Sequence, residues 1–157
     1  MERESCMKRC FTLPCTQTEL GHETNSAMKV LIDTSAWIDF FRNTGGAAGD
    51  VVAELIQLDE AYLTGPVMAE LLHGAKGKPE MQSLEEVFAT IPILDVTGED
   101  WLATGNTLQA LRKKGCLVPL TDVLIASVVQ RNDMAMLTLD KHFEYLSVEC
   151  VKVLEGS

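Results

Sequence analysis

The sequence has no long uninterrupted apolar run, and this absence is the first limit on what the protein can be. A helix that spans a bilayer needs roughly 18 apolar residues in succession, and no stretch of the 157 residues approaches this. The first ten residues, MERESCMKRC, are charged and lack an apolar segment, which is not the pattern of a secretory signal. We therefore predict a cytoplasmic protein with no membrane association.

Basic residues are also scarce. The chain has 13 lysines and arginines against 23 aspartates and glutamates, a net charge of −10. This balance argues against a protein that holds nucleic acid by bulk electrostatic attraction. It does not exclude a protein that reaches phosphate groups through a bound divalent cation.

The cysteines do not form a recognisable zinc motif. There are five, an odd number that cannot pair completely within one chain. Cys6, Cys10 and Cys15 lie in the first 27 residues, and with His22 they fit the spacing of a zinc site poorly. We expect them to be free thiols in a tail.

Residues 1–27 are polar and mixed, without helical or strand periodicity, and are predicted to be a flexible N-terminal extension. The segment MKVLIDTSAWIDFF, which begins at Met28, has the pattern of the start of a compact domain. We therefore predict one domain over residues 28–157.

Strands and helices alternate along this domain. Apolar runs predict strands at 29–32, 61–64, 91–94, 136–139 and 148–153. Periodicity, caps and breakers predict helices at 35–42, 51–58, 66–75, 79–90, 98–114 and 119–129. The alternation is typical of an α/β fold with a mainly parallel sheet of about five strands.

Several predicted strands end at an aspartate. Asp33 follows VLI and Asp140 follows MLTL, while Asp95 after IPIL is a weaker third case. An aspartate in this position is most often a cap or turn residue. However, the carboxyl ends of parallel strands are also where such sheets place their sites.

Two further acids lie on predicted helices. Asp122 has helical spacing with Ile125, Ala126 and Val129, so it points along an apolar face. Glu70, in GPVMAELLHG, lies at the margin of its buried face. Carboxylates are seldom buried unless they are paired or bound to a cation.

We hypothesise that Asp33, Glu70, Asp122 and Asp140 converge. Two carboxylates about 4 Å apart repel by roughly 4 kcal/mol at an effective dielectric near 20. Four together therefore require a cation or protonation, and oxygen ligands suit Mg²⁺ or Mn²⁺. Zinc is disfavoured because no histidine has a partner at ligand spacing. We expect surface or packing roles for His22, His73 and His142.

Four segments in order resemble the signature segments of PIN-domain ribonucleases, and most closely those of VapC-type toxins. They are VLIDTSAWIDFF, GPVMAELLHGA, LTDVLIASVV and LTLDKHFEYL. The resemblance covers residues 28–157 and implies a three-layer sandwich with an acidic metal site at one edge of the sheet.

The resemblance also implies roles for particular residues. Asp33, Glu70, Asp122 and Asp140 take the places of the family's catalytic and metal-binding acids. Ser35 and Thr138 match the hydroxyl residues that accompany the first and last of these acids. Family members often have an arginine at the position of Leu139, so a substrate contact there is not expected in this chain.

The implied activity is hydrolysis of RNA phosphodiester bonds by an endoribonuclease that depends on Mg²⁺ or Mn²⁺. The implied partners are RNA, a cognate antitoxin protein of a toxin–antitoxin system, and a second copy of the chain in a homodimer. Trp37, Phe40, Phe41 and Leu72 are candidates for an exposed apolar groove that binds the antitoxin, or else they belong to the core.

Two other functions fit part of the pattern. An aspartyl-phosphate phosphatase would need a second aspartate two residues after the first, where this chain has Ser35. A catalytically silent PIN-like binding module would be expected to have lost one of the four acids, and all four are present.

Overall fold

The computed structural model describes residues 17–18, 27–42 and 45–153. Within these ranges no helix is both long and apolar enough to cross a membrane. Cys6, Cys10, Cys15 and His22 lie outside the described residues, so the expectations about them stay predictions.

The described residues form six strands, six α-helices and one 3₁₀-helix. The strands are β1 (Gln17–Thr18), β2 (Val30–Ile32), β3 (Ala61–Thr64), β4 (Ile93–Leu94), β5 (Ala135–Leu137) and β6 (Glu149–Val151). The helices are α1 (Thr34–Arg42), α2 (Ala47–Gln57), α3 (Gly65–Gly74), α4 (Lys78–Phe88), α5 (Gly98–Lys113) and α6 (Leu120–Arg131), and the 3₁₀-helix is Lys141–Tyr145.

All the strand pairs are parallel, and the sheet order is β1-β6-β5-β2-β3-β4. The central strand β2 pairs on one side with β3, where Val30 is opposite Ala61. On its other side it pairs with β5, where Val30 is opposite Ala135. The chain therefore moves one way from β2 through β3 to β4, then returns across the sheet to continue from β5 to β6.

This reversal puts helices on both faces of the sheet. Parallel crossover connections are right-handed, so connections that move in opposite directions lie on opposite faces. The helix contacts agree with this rule: α1, α2, α3 and α4 form one contacting group, and α5 and α6 form another. The reversal point lies between β2 and β5, and in such sheets a crevice opens there at the carboxyl ends of the strands. The predicted α/β sandwich is confirmed.

The predicted elements all occur, with shifts of a few residues at their ends. The long helix α5 was predicted to end at residue 114 and ends at Lys113, shortly before Gly115, which has a φ of 75° and so adopts the left-handed conformation that glycine favours. The strand predicted at 91–94 is reduced to two residues.

Strand β1 lies inside the segment that was predicted to be flexible. Gln17 and Thr18 pair with Cys150 and Val151 at the edge of the sheet. Backbone groups make this pairing, so it requires no side-chain periodicity and no pattern in the sequence predicts it. These two residues therefore belong to the edge of the sheet, whereas the flexible N-terminal extension and the domain boundary at residue 28 stay predictions.

Burial in the core determines which of the four candidate residues for an antitoxin groove could contact a partner. Trp37 is fully buried, and it packs against Phe40 and Phe41 with ring centroids 5.8 Å away in both cases. It therefore cannot line an exposed groove, whereas Phe40, Phe41 and Leu72 are partly buried at the margin of the core. Helix α6 is buried over 123–129, which places it between the sheet and α5.

Candidate metal centre

Asp33 stands at the carboxyl end of the central strand β2. Its backbone N–H donates to the carbonyl of Leu137 at 2.9 Å, which joins the end of β2 to the end of β5. Its carbonyl accepts from the N–H groups of Ala36 and Trp37, so the residue also begins α1. Asp33 is 5% exposed. The strand-to-helix change at the switch point thus holds its carboxylate in the crevice.

Two hydroxyl groups hold this carboxylate in place. Ser35 Oγ and Thr138 Oγ1 donate to Asp33 Oδ2 at 2.8 and 2.9 Å. Burial raises the pKa of Asp33, and the hydrogen bonds from Ser35 and Thr138 only partly oppose that rise. Asp33 is therefore held in one orientation in surroundings that disfavour its charged form, and a bound cation would favour that form.

The backbone at Leu139 and Asp140 donates hydrogen bonds to the same two hydroxyl groups. The N–H of Asp140 donates to Thr138 Oγ1 at 3.0 Å, and the N–H of Leu139 donates to Ser35 Oγ at 2.9 Å. The Asp140 side chain then caps the 3₁₀-helix by accepting from the N–H of His142 at 2.9 Å. The segment after β5 is thus fixed against the segment after β2.

Glu70 reaches the crevice from α3, which begins directly after β3. Thr34 Oγ1 donates to Glu70 Oε2 at 2.5 Å. Because Thr34 follows Asp33 in the chain, this contact fixes the glutamate of one helix to the first turn of another.

Asp122 lies in the first turn of α6, and its side chain is 14% exposed. Burial, followed by the charge of Asp140, raises the pKa of Asp122 to about 6, and Asp33 and Glu70 add to the rise. Geometry also links these acids: Thr138 Oγ1 bonds both Asp33 and the backbone of Asp140, and Thr34, next to Asp33, bonds Glu70. The four acids thus lie at the same edge of the sheet, whereas their roles as metal ligands and catalysts stay a prediction.

His142 belongs to this site, which corrects the expectation that it has only a surface or packing role. Its Nδ1 atom lies 3.1 Å from Asp140 Oδ1 and 3.3 Å from Asp122 Oδ2. The sequence signal was local: an aspartate that begins a turn accepts from the backbone two residues later. That turn brings the side chain of His142 to the carboxylate as well.

The remaining acid after a strand does not join the cluster. Asp95 is exposed, and its carbonyl accepts from Arg131 Nη2 at 2.8 Å, so it serves to link β4 to the end of α6.

Space for a ligand adjoins the cluster on the β6 side. A cavity of about 420 Å³ opens at the carboxyl ends of β5 and β6. Thr138 and Asp140 line its inner end, and the exposed Lys141 lines it further out. A cation at the acids would therefore be accessible to a ligand in this cavity.

The residues present suit a divalent cation. Asp122, Asp140 and His142 each offer one ligand atom, and these atoms lie within 4.8 Å of one another. Asp122 Oδ2 and His142 Nδ1 are buried, and neither has a hydrogen-bond partner among the described residues. Buried polar atoms are normally paired, so two such atoms facing each other indicate a place for a ligand.

The parallel sheet and the acidic cluster at its switch point define an α/β protein with a candidate metal site. Comparison with known proteins identifies the family. The PIN domain family matches residues 30–149. The chain therefore belongs to the PIN-domain family.

Curated relatives and solved structures agree with this membership. The chain is 31% identical over 122 residues to ribonuclease VapC11 of Mycobacterium tuberculosis and, equally, to a VapC ribonuclease of Mycobacterium bovis. In both cases the match covers 75% of this chain and 91% of the relative. The fold is similar to that in VapBC2 from Rickettsia felis bound to a promoter DNA fragment, with a TM-score of 0.68, 20% identity and coverage of 82% of this chain and 100% of that one. It is also similar to FitAcB from Neisseria gonorrhoeae, with a TM-score of 0.66, 18% identity and coverage of 78% and 96%.

Proposed function

We propose that this protein is a metal-dependent endoribonuclease and the toxin of a toxin–antitoxin pair. The observation that carries the proposal is the grouping of carboxylates at the switch point, where Asp33 and Asp140 share the hydroxyl of Thr138 and where ligand atoms of Asp122 and Asp140 lie within 4.8 Å of each other. The relatives named as VapC ribonucleases support RNA as the substrate.

In this proposal Asp33, Glu70, Asp122 and Asp140 hold Mg²⁺ or Mn²⁺. When bound, the metal would activate a water molecule and stabilise the charge that develops on the phosphate. Thr138 and Ser35 orient Asp33, and Thr34 orients Glu70. These hydroxyl groups fix the ligands before the metal binds, so little reorganisation is needed.

The rest of the chain would supply weak attraction for RNA. Lys141 is exposed beside Asp140 at the cavity. Helices α5 and α6 are antiparallel, because Thr104 contacts Ser127 and Asp100 contacts Arg131. The exposed Arg112–Lys114 cluster at the end of α5 therefore lies at the same end of the helix pair as Asp122. With a net charge of −10, such local groups matter more than the overall field.

An antitoxin is the partner proposed on the same grounds. The curated relatives are named as VapC ribonucleases, and the similar structure from Rickettsia felis is VapBC2 bound to a DNA fragment from its promoter. We propose that the protein acts in the cytoplasm, where its RNA would be found, and that it forms a homodimer, which sedimentation velocity would test.

A circular RNA tests the enzymatic proposal, since it has no ends and only an endonuclease can open it. We expect the purified full chain to open it with Mg²⁺ or Mn²⁺, to lose this activity in EDTA, and to regain it with excess metal. Undiminished cleavage in EDTA would contradict the metal-dependent mechanism. No cleavage with either metal would favour the silent binding module.

Growth experiments test the toxin proposal separately. Expression of the chain alone should arrest bacterial growth, and co-expression with the small protein encoded beside it should restore growth. Normal growth with abundant folded protein, together with cleavage in vitro, would contradict the toxin role and leave the nuclease intact.

A further inference from the structure

Two contacts of His142 are short but are not hydrogen bonds. Nδ1 lies 3.1 Å from Asp140 Oδ1 and 3.3 Å from Asp122 Oδ2. Nevertheless, Nδ1 is a buried atom with no hydrogen-bond partner among the described residues, and the same is true of Asp122 Oδ2. The side chain as a whole is 46% exposed, although this nitrogen is buried.

The backbone of His142 is held beside the same carboxylate that its side chain approaches. The N–H of His142 donates to Asp140 Oδ1 at 2.9 Å, the same carboxylate oxygen that Nδ1 approaches. That hydrogen bond is part of the cap that begins the 3₁₀-helix. The turn that positions Asp140 therefore also places Nδ1 of His142 beside two carboxylates.

The spacing of these atoms is that of neighbouring ligands around one cation. With metal–ligand distances of about 2.1 Å in an octahedral shell, adjacent ligands lie about 3.0 Å apart. The observed separations of 3.1 and 3.3 Å are close to this value. A cation there would satisfy the Asp122 oxygen and the His142 nitrogen together.

We infer that His142 is a ligand of the metal held by Asp122 and Asp140, and that its nitrogen makes the site prefer divalent transition-metal ions over Mg²⁺. The inference rests on the proposed function and adds one more ligand to the proposed metal site. Mg²⁺ is bound through oxygen ligands, whereas an imidazole nitrogen suits transition-metal ions. The all-oxygen site expected from the four acids is thus a mixed nitrogen and oxygen site in this chain.

Pulsed EPR of bound Mn²⁺ tests the ligand directly, because a coordinated imidazole adds a ¹⁴N modulation to the signal. Mn²⁺ would be added to the full chain as wild type, as His142→Gln and as His73→Gln. His73 is exposed at the end of α3, so its variant is the matched control. We expect the modulation in wild type and His73→Gln, and its loss in His142→Gln.

A wild-type experiment avoids dependence on the folding of a variant. Protein labelled with ¹⁵N-histidine should show the ¹⁴N modulation replaced by the ¹⁵N pattern. No change on labelling, or no nitrogen modulation in wild type that binds Mn²⁺, overturns the inference. Modulation that survives in folded His142→Gln also overturns it.

Calorimetric titration tests the metal preference. We expect wild type to bind Mn²⁺ more tightly than Mg²⁺, and His142→Gln to reduce this ratio by about tenfold or more, as loss of groups around a metal commonly does. An unchanged ratio overturns the preference. If RNA is cleaved with Mg²⁺ while the nitrogen tests fail, the inference falls and the nuclease stands. If the nitrogen is detected but no RNA is cleaved, the ligand stands and the nuclease falls.

Discussion

Thr34 Oγ1 donates a hydrogen bond of 2.5 Å to Glu70 Oε2, across 36 residues of sequence. The contact joins the first residue of α1 to the middle of α3, beside the buried Asp33. The orientation of Glu70 is therefore set by Thr34, the residue next to Asp33, and not by its own helix alone.

Replacement of Thr34 by valine should weaken metal binding without unfolding the protein. Valine has nearly the same shape but no donor, so Glu70 loses its fixed orientation. We expect Mn²⁺ affinity and RNA cleavage to fall by about tenfold, the low end for loss of a group that orients a ligand. Thr34→Ser, which keeps the hydroxyl, should restore most of both. Wild-type affinity in the valine variant, or a serine variant as weak as the valine variant, would contradict this role of the hydrogen bond.

Replacement of Asp122 by asparagine should stabilise the metal-free protein at neutral pH. The pKa of this group is raised from 3.8 to about 6 in the folded protein. The fold therefore loses stability as the pH rises from about 4 to about 6, and this loss remains at higher pH. The gain of Asp122→Asn over wild type should be absent near pH 4, grow up to about pH 6, and reach about 2 to 3 kcal/mol at pH 7.

Urea unfolding of both proteins in EDTA at several pH values measures this difference. Added Mn²⁺ should stabilise wild type by mass action and stabilise Asp122→Asn much less. A variant that is less stable than wild type at pH 7 would show that Asp122 has a structural role.

Lys141 should affect RNA affinity more than the chemical step. Lys141→Gln removes one cation beside the cavity, so we expect a several-fold increase in KM with kcat within about twofold. If the contact is to a phosphate, the dependence of log affinity on log salt should fall by about 0.7 for a single strand. Lys76→Gln, the same change at an exposed residue after α3, is the control. Equal effects of the two variants would exclude a local contact.

Arg131 is predicted to contribute to stability and not to catalysis. Its Nε donates to Asp100 Oδ1 at 2.8 Å, and the Asp100 side chain is 1% exposed. Burial of Asp100 would raise its pKa, but the hydrogen bonds from Arg131 and Thr97 outweigh burial and lower it. Arg131→Met leaves this carboxylate without its cation and should cost about 2 kcal/mol at pH 7.

The pH dependence gives the sign of this effect. A lowered pKa stabilises the fold above the unfolded value of 3.8, and this stabilisation is lost as the pH falls below it. The cost of Arg131→Met in urea unfolding should therefore shrink below pH 4, and Asp100→Asn in the same chain should recover part of it. A constant cost at all pH values would instead indicate lost packing.

The sequence was sufficient for those parts of the site that depend on periodicity. The strand pattern before Asp33 and Asp140 placed both acids at strand ends, and the helical spacing of Asp122 predicted its buried face. The pattern could not show that Asp95, also after a strand, would lie outside the cluster, because strand order depends on long-range packing.

Contacts made by backbone groups and turns could not be predicted from the sequence, for a different reason. The pairing of Gln17 with Cys150 uses main-chain groups that every residue has. His142 enters the site through a turn of two residues, and Thr34 meets Glu70 through a pairing that neither helix pattern specifies. Each of these three depends on distances that a one-dimensional pattern does not contain.

The most direct test of the account is RNA cleavage by four single variants of the acids, measured with saturating Mn²⁺ beside a matched control. The variants are Asp33→Asn, Glu70→Gln, Asp122→Asn and Asp140→Asn, and the control is Asp95→Asn, an exposed acid that also follows a strand. We predict that each of the four lowers kcat by at least about 100-fold in folded protein, a size typical of lost transition-state charge stabilisation, and that Asp95→Asn retains wild-type activity. Wild-type activity in any of the four, or an equal loss in Asp95→Asn, would contradict the claim that these carboxylates form one catalytic metal centre.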